Sequence, residues 1–213
     1  MIAPGYILTA AHCFYPAKSG NTGKAYFGSH KTCFYGDCDA EERTLVKAFV
    51  HPNYNGFTSE NDVAILKLNK PVNSITPVPL RKEAYTAAQN FGNHGDAITL
   101  GWGTVNTNTE RMADVLQLGA VSLVNRNTCW KSHSYSKNSI LEGMVCASQP
   151  SKGTDACWGD SGGPLFVPST GEQVGVVSWG EGCGRRKFPG VYADVGKSKK
   201  RINFIDPECA RGQ

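Results

Sequence analysis

Asp155 and Ser161 belong to one glycine-studded stretch, Gly153-Thr154-Asp155-Ala156-Cys157-Trp158-Gly159-Asp160-Ser161-Gly162-Gly163-Pro164-Leu165. A serine hydroxyl is a weak nucleophile at neutral pH unless a base takes its proton. Glycines beside it let the backbone turn tightly, so one loop can offer both the hydroxyl and neighbouring N–H groups to a single carbonyl. Acyl transfer needs that combination. A Gly-rich surface turn could carry the same short run, so the serine needs partners elsewhere in the chain.

Two stretches supply them. Leu8-Thr9-Ala10-Ala11-His12-Cys13 puts a histidine after the apolar, strand-like run Tyr6-Ile7-Leu8. Asn61-Asp62-Val63-Ala64-Ile65-Leu66-Lys67-Leu68 puts an aspartate at the head of an alternating strand. With Thr99-Leu100-Gly101-Trp102-Gly103, Val177-Ser178-Trp179-Gly180 and Pro189-Gly190-Val191-Tyr192, these motifs stand in the order of the trypsin/chymotrypsin family of serine proteases. The chain resembles that family over nearly its whole length.

The resemblance implies a mechanism. His12 would take the proton of Ser161 and return it to the leaving amine, while Asp62 holds the imidazole in the right tautomer. The amides of Gly159 and Ser161 would form the oxyanion hole. Ser178 resembles the family serine that also contacts the triad aspartate. The backbone of Ser178, Trp179 and Gly180 would pair with an extended peptide as an added strand.

By the same resemblance Asp155 lies at the base of a specificity pocket, with Gly180 and Gly190 in its walls. A buried carboxylate calls for a cation, which implies cleavage after Arg or Lys. Ala156 stands where many relatives carry serine; without that hydroxyl a lysine ammonium loses a partner, whereas a guanidinium still binds a carboxylate bidentately. Arginine is therefore expected to be preferred. Trp158 departs from the commoner polar residue at the rim and could stack on substrate or cover the entrance. Pro189 stands where sodium-activated relatives have tyrosine, so sodium dependence is not expected. Asp160 matches the aspartate that, in the resembling proteases, pairs with an Ile or Val ammonium freed by upstream cleavage. Met1-Ile2-Ala3-Pro4-Gly5-Tyr6 reads as the middle of a strand and turn rather than a beginning, and no signal peptide is visible. A fragment or an internal methionine is the expectation, with residues 1–213 alone inactive.

The elements that must position these residues follow from composition. A chain of 213 residues can bury a substantial core, and its net charge of +4 is too modest to argue for nucleic acid. No apolar run approaches a membrane span. Eight cysteines are many for a reducing compartment, which points to a secreted protein. Cys33 and Cys38 are close enough to staple a hairpin. The family implies Cys129 with Cys146 and Cys157 with Cys183, leaving Cys13 and Cys209 over.

Strands are expected at Tyr26-Phe27-Gly28, residues 44–50, 97–100, 115–118, 174–177 and 190–192, with a crossing segment marked by Pro71, Pro77 and Pro79. Short strands between Gly, Pro and Asn turns argue for an all-β architecture. The family fold is two antiparallel six-stranded β-barrels. Here the first would be incomplete (residues 1–75) and the second would span 76–195. A C-terminal helix and tail, 196–213, would lie outside, with Lys197-Ser198-Lys199-Lys200-Arg201 as a solvated face. Asp37, Asp39, Glu41 and Glu42 read as a solvated acidic loop rather than a calcium site, and His30, His51, His94 and His133 as surface or core residues.

The expected function is a secreted, zymogen-derived, monomeric serine endopeptidase of peptide and protein substrates. It would be subject to protein protease inhibitors, without cofactor or metal. The alternative is a non-catalytic or zymogen-like homologue that binds proteins through the cleft. An esterase on the same triad fits the charged pocket poorly.

Overall fold

The computed structural model describes residues 1–16, 23–33, 39–85, 96–131, 135–136, 138–149, 151 and 153–199. Its first four strands are β1 (Tyr6–Thr9), β2 (Lys24–Phe27), β3 (Glu41–Val50) and β4 (Ala64–Leu68). They form an antiparallel sheet in the order β1-β4-β3-β2, with β1 and β2 as its edges among the described residues. Across β1 and β4, Thr9 faces Ala64 and Tyr6 faces Lys67. This antiparallel register sets the segment after β1, with His12, beside the segment before β4, with Asp62.

β4 does not show the alternation read from its sequence: Ala64, Ile65, Leu66 and Leu68 are all buried and only Lys67 is partly exposed. The reason is a layer on each face. Ile65 joins Ile2, Tyr6, Leu8, Val176, Ala193 and Val195 in one apolar cluster, while Leu66 and Leu68 join Leu45 and Val72 in another. The first cluster draws from the four-stranded sheet and from the C-terminal part alike, so apolar burial fixes the two relative to each other. Each buried Val, Leu or Ile among them contributes about 1.5–3 kcal/mol on removal from water.

The second sheet comprises β5 (Ala97–Gly101), β8 (Gln117–Val124), β9 (Met144–Ser148), β10 (Pro164–Val167), β11 (Glu172–Trp179) and β12 (Gly190–Asp194). These six close into an antiparallel barrel in the order β10-β11-β12-β9-β8-β5. Between β5 and β8 lies a small hairpin of β6 (Thr104–Asn106) and β7 (Arg111–Met112). The strand expected at 115–118 starts later, because Val115 makes only an isolated bridge with Lys31. A register shift between Val177 and Trp179 in β11 falls on Ser178. Such bulges re-aim a side chain at a sheet's rim.

One helix was not legible from periodicity: α1, Arg126–Lys131, with Thr128 N donating to Asn125 Oδ1 at 2.8 Å as an N-cap. Residues 195–199 are also helical. This helix begins earlier than expected, because Asp194 accepts from the Lys197 amide at 3.2 Å through Oδ1 and from Tyr85 N at 2.7 Å through Oδ2. Its first residue, Val195, is fully buried, so the helix docks through its start. Residues beyond 199 lie outside the described ones. Disulfides join Cys129 to Cys146 and Cys157 to Cys183. Cys13 is a free, exposed thiol, and Cys33 is disulfide-bonded, while Cys38 and Cys209 lie outside the described residues. Asp37, His94 and His133 do too. Glu41 pairs with Arg43 and Glu42 with Lys24, and His51 is buried, its Nδ1 accepting from Asn53 N.

Candidate active site

Asp62 is fully buried, and each of its oxygens is used. Oδ1 accepts from the His12 backbone amide at 2.8 Å; Oδ2 accepts from His12 Nδ1 at 2.7 Å and from the Ser178 hydroxyl at 2.5 Å. Three donors satisfy a carboxylate that would be costly to bury alone. A carboxylate only accepts, so in the neutral imidazole the proton sits on Nδ1 and the lone pair on Nε2. The imidazole, about a third exposed, can then receive a proton from the cleft side. The hydrogen bond to Asp62, followed by that to Cys13, holds the His12 pKa well above the ordinary histidine value.

Ser161 precedes β10 and is exposed. Backbone bonds tie down its loop: Gly162 N to Val177 O at 2.9 Å, Gly163 N to Asp160 O at 2.8 Å and Asp160 N to Cys157 O at 2.9 Å. The amides of Gly159 and Ser161 take part in none of these bonds. Gly159 has φ +92° and Gly162 φ +79°, conformations that suit glycine alone. Among the described residues no hydrogen bond links Ser161 to His12. Such contacts are often long before substrate arrives.

Ser161 opens onto a cavity of about 80 Å³ lined by Asp155, Ala156, Trp158, Ser178, Trp179, Gly180 and Gly190, among others. Asp155 accepts from the Ala156 amide at 2.9 Å and the Gly184 amide at 3.0 Å. Burial nevertheless outweighs these bonds and pushes its carboxyl up to about 6. A Cβ on Gly190 would lie 2.5 Å from Asp155 Oδ1, so glycine there makes room for the carboxylate itself. Gly180 meets nothing closer than 3.4 Å, so its space belongs to the cavity. Trp158, 56% exposed, is one of the residues that line this cavity.

Asp160 turns away from this cavity. Its Oδ1 accepts from Gly103 N at 2.8 Å and its Oδ2 from Cys157 N at 2.9 Å. Together with Gly101, Gly103, Thr154 and Asp155 it lines a second cavity of about 500 Å³. The Gly101 and Gly103 pair, a mere motif in the sequence, has a physical reason: a Cβ at either would meet the Asp160 carboxylate at 1.8 or 2.5 Å. Met112 has no sequence signal at all, yet its Cε would lie 2.5 Å from a Cβ on Gly159. Tyr135, also unmarked in the sequence, stacks edge-on against Trp179 at 5.2 Å.

Comparison with known proteins identifies the family. The trypsin family profile matches residues 1–202. Trypsin-1 of Astacus astacus is 34% identical over 196 residues, covering 89% of this chain and 79% of its own length. Trypsin delta of Drosophila melanogaster is 36% identical over 194 residues, covering 89% and 70%. The suppressor of tumorigenicity 14 protein homolog of Bos taurus is 36% identical over 204 residues; the match takes in 90% of this chain but only 23% of that protein. Among solved structures, neuropsin, a serine protease expressed in the limbic system of mouse brain, superposes with a TM-score of 0.79 at 29% identity, over 97% of this chain and 87% of its own. Sequence and fold thus agree, and the chain belongs to the trypsin family of serine endopeptidases.

Proposed function

We propose that this chain cleaves peptide bonds after arginine, and less well after lysine, through an acyl-enzyme. The observation that carries this reading is Asp155, a partly buried carboxylate that lines the cavity on which Ser161 opens. An arginine side chain entering there supplies the cation that Asp155 lacks. Ser161 Oγ attacks the scissile carbonyl carbon as its proton passes to His12 Nε2, and the oxyanion is held by the Gly159 and Ser161 amides. The C–N bond then breaks, the amine leaving with the proton from His12. Water attacks the resulting ester by the reverse proton path, freeing the peptide acid and Ser161. Asp62 stabilises the imidazolium at each step, with Ser178 fixing Asp62. Peptide and protein substrates and protein protease inhibitors are the partners this reading implies, acting on a monomer. The disulfides fit an oxidising, extracellular compartment. Among the described residues no helix is long and apolar enough to cross a membrane.

A zymogen-like state is the second reading, favoured by the cavity of about 500 Å³ beside Asp160. In this reading Asp160 awaits an ammonium that completes the loop, and the cleft until then only binds proteins. Fluorophosphonate labelling of Ser161 with turnover of an Arg-amide supports the endopeptidase. Labelling and turnover both absent in the purified chain, with inhibitor binding intact, overturns it in favour of the second reading.

A further inference from the structure

Beyond the segment Ser178–Gly180 the chain carries three consecutive exposed cations, Arg185, Arg186 and Lys187. They sit on a turn closed by Phe188 N donating to Arg185 O at 2.9 Å. The turn is anchored. The Arg185 guanidinium lies 4.7 Å over the Phe188 ring, Phe188 stacks edge-on against Tyr135 at 5.3 Å, and Tyr135 stacks against Trp179. The Tyr135 hydroxyl donates to Pro189 O at 2.9 Å, tying the same ring to the pocket wall. Arg185 also runs back beside Gly182, where an added Cβ would sit 2.7 Å from its Cδ. Its acidic neighbour, Glu181, lies 3.6 Å away. Arg186 and Lys187 have no ion pair among the described residues, so the turn keeps an uncompensated positive charge.

Substrate direction follows from the endopeptidase reading, on which this inference rests. The part of the peptide that precedes the scissile bond carries the side chain into the Asp155 pocket and stays attached to Ser161. As an added antiparallel strand it passes Ser178, then Trp179 and Gly180, one residue per residue of about 3.4 Å. Glu181 follows Gly180 at the upstream end of that track, and its carboxylate lies 3.6 Å from Arg185, so the cationic turn begins beside the residues that precede the scissile bond. We infer that Arg185, Arg186 and Lys187 form an extended subsite for acidic side chains in that upstream stretch of the substrate. Arg185 is already partly neutralised by Glu181, so Arg186 and Lys187 carry most of the preference. Exposed ion pairs contribute about twofold to fivefold each, and their attraction is screened by salt.

The test compares peptides that share the same arginine and leaving group but carry Asp-Asp-Asp, Ala-Ala-Ala or Lys-Lys-Lys upstream. At low salt kcat/KM is expected to be about tenfold higher for the acidic than for the neutral peptide, shrinking towards parity at high salt. The lysine peptide should be the poorest. Arg186→Ala with Lys187→Ala should abolish the preference, and Lys187→Glu should weaken it, while a single blocked Arg-amide is cleaved at the wild-type rate. Equal cleavage of acidic and neutral peptides by the wild type, or a preference that survives the double variant, overturns the subsite. Loss of Arg-amide turnover in the wild type overturns the endopeptidase reading instead. In that event anisotropy of the labelled peptides on Ser161→Ala still decides the subsite, by the same acidic-over-neutral ratio. Retention of a sulfated polysaccharide by the turn without any peptide preference also counts against it.

Discussion

Gly162 and Thr9 meet where the barrel touches the four-stranded sheet. A Cβ on Gly162 would lie 2.2 Å from Thr9 Oγ1 and 3.2 Å from the Ala10 amide. Thr9 ends β1 and leads to His12; Gly162 follows Ser161. Ser161 and His12, the proposed nucleophile and base, are thus held on facing segments by this contact between the two sheets, not by a bond between their own side chains. Ser178, reaching from β11 to Asp62, makes the second crossing.

Gly162→Ala should therefore separate the two halves of the site. The left-handed φ of +79° and the clash with Thr9 act in the same direction. Misplacement of about 1 Å costs on the order of a hundredfold in rate, so kcat/KM on an Arg-amide should fall by about that factor. Binding of benzamidine, an aryl amidinium that needs only the Asp155 pocket, should change little. A variant that loses both equally would show a general collapse of the loop.

The acid limb of the pH profile tests the His12–Asp62 pair. Asp62 favours the imidazolium, so His12 becomes a free base only above the ordinary histidine range. Activity should accordingly rise with pH past that range. Asp62→Asn removes the attraction, lowers the His12 pKa and moves the limb to lower pH. The plateau should drop by about 10⁴ because the wrong tautomer is then favoured. A limb that stays in place in Asp62→Asn would assign it to another group.

The proposed triad stands out in the sequence because its chemistry demands particular types: His12, Asp62 and Ser161 each lie in a distinctive local stretch, and glycines mark the positive-φ turns. Strands with β-branched runs, such as β11, were legible for the same reason. What escaped had long-range causes. β9, Met144–Ser148, is buried at every position, so it shows no alternation. α1 is too short for a helical period, although Asn125 is a recognisable cap. Met112 and Tyr135 matter only through what the fold sets beside them.

Asp155→Ser should lower kcat/KM on Arg substrates by about a hundredfold to several thousandfold, as for a broken buried ion pair, and spare apolar substrates. With burial pushing the carboxyl up to about 6, benzamidine affinity should weaken as pH falls below that value. In Asp155→Ser it should be weak and flat with pH. At the neighbouring position, matched peptides should favour Arg over Lys, and Ala156→Ser should narrow the gap by improving Lys. Wild-type preference for Lys would remove the role given to Ala156.

Asp160 controls the loop from behind. Its two oxygens each accept an amide, from Gly103 and from Cys157, which fixes the strand of backbone that ends in Gly159 and Ser161. Asparagine offers one acceptor and sets its NH₂ against an N–H, at about 1–3 kcal/mol for the unsatisfied donor. The Gly159 amide should then lose its aim. In Asp160→Asn kcat should fall by about tenfold to a hundredfold with KM little changed, and fluorophosphonate labelling of Ser161 should slow in proportion. The cavity of about 500 Å³ beside Asp160 adds a second arm. On the zymogen-like reading, in which an Ile or Val ammonium pairs with that carboxylate, a form extended upstream and cleaved should turn over Arg-amide faster than residues 1–213. Asparagine there should cancel the gain, since it offers no charge to pair. Equal rates from the two lengths would mean the two amides suffice to hold the loop. A gain that persists in Asp160→Asn would place the ammonium's partner elsewhere, with Asp155, the other carboxylate lining that cavity, the next residue to replace.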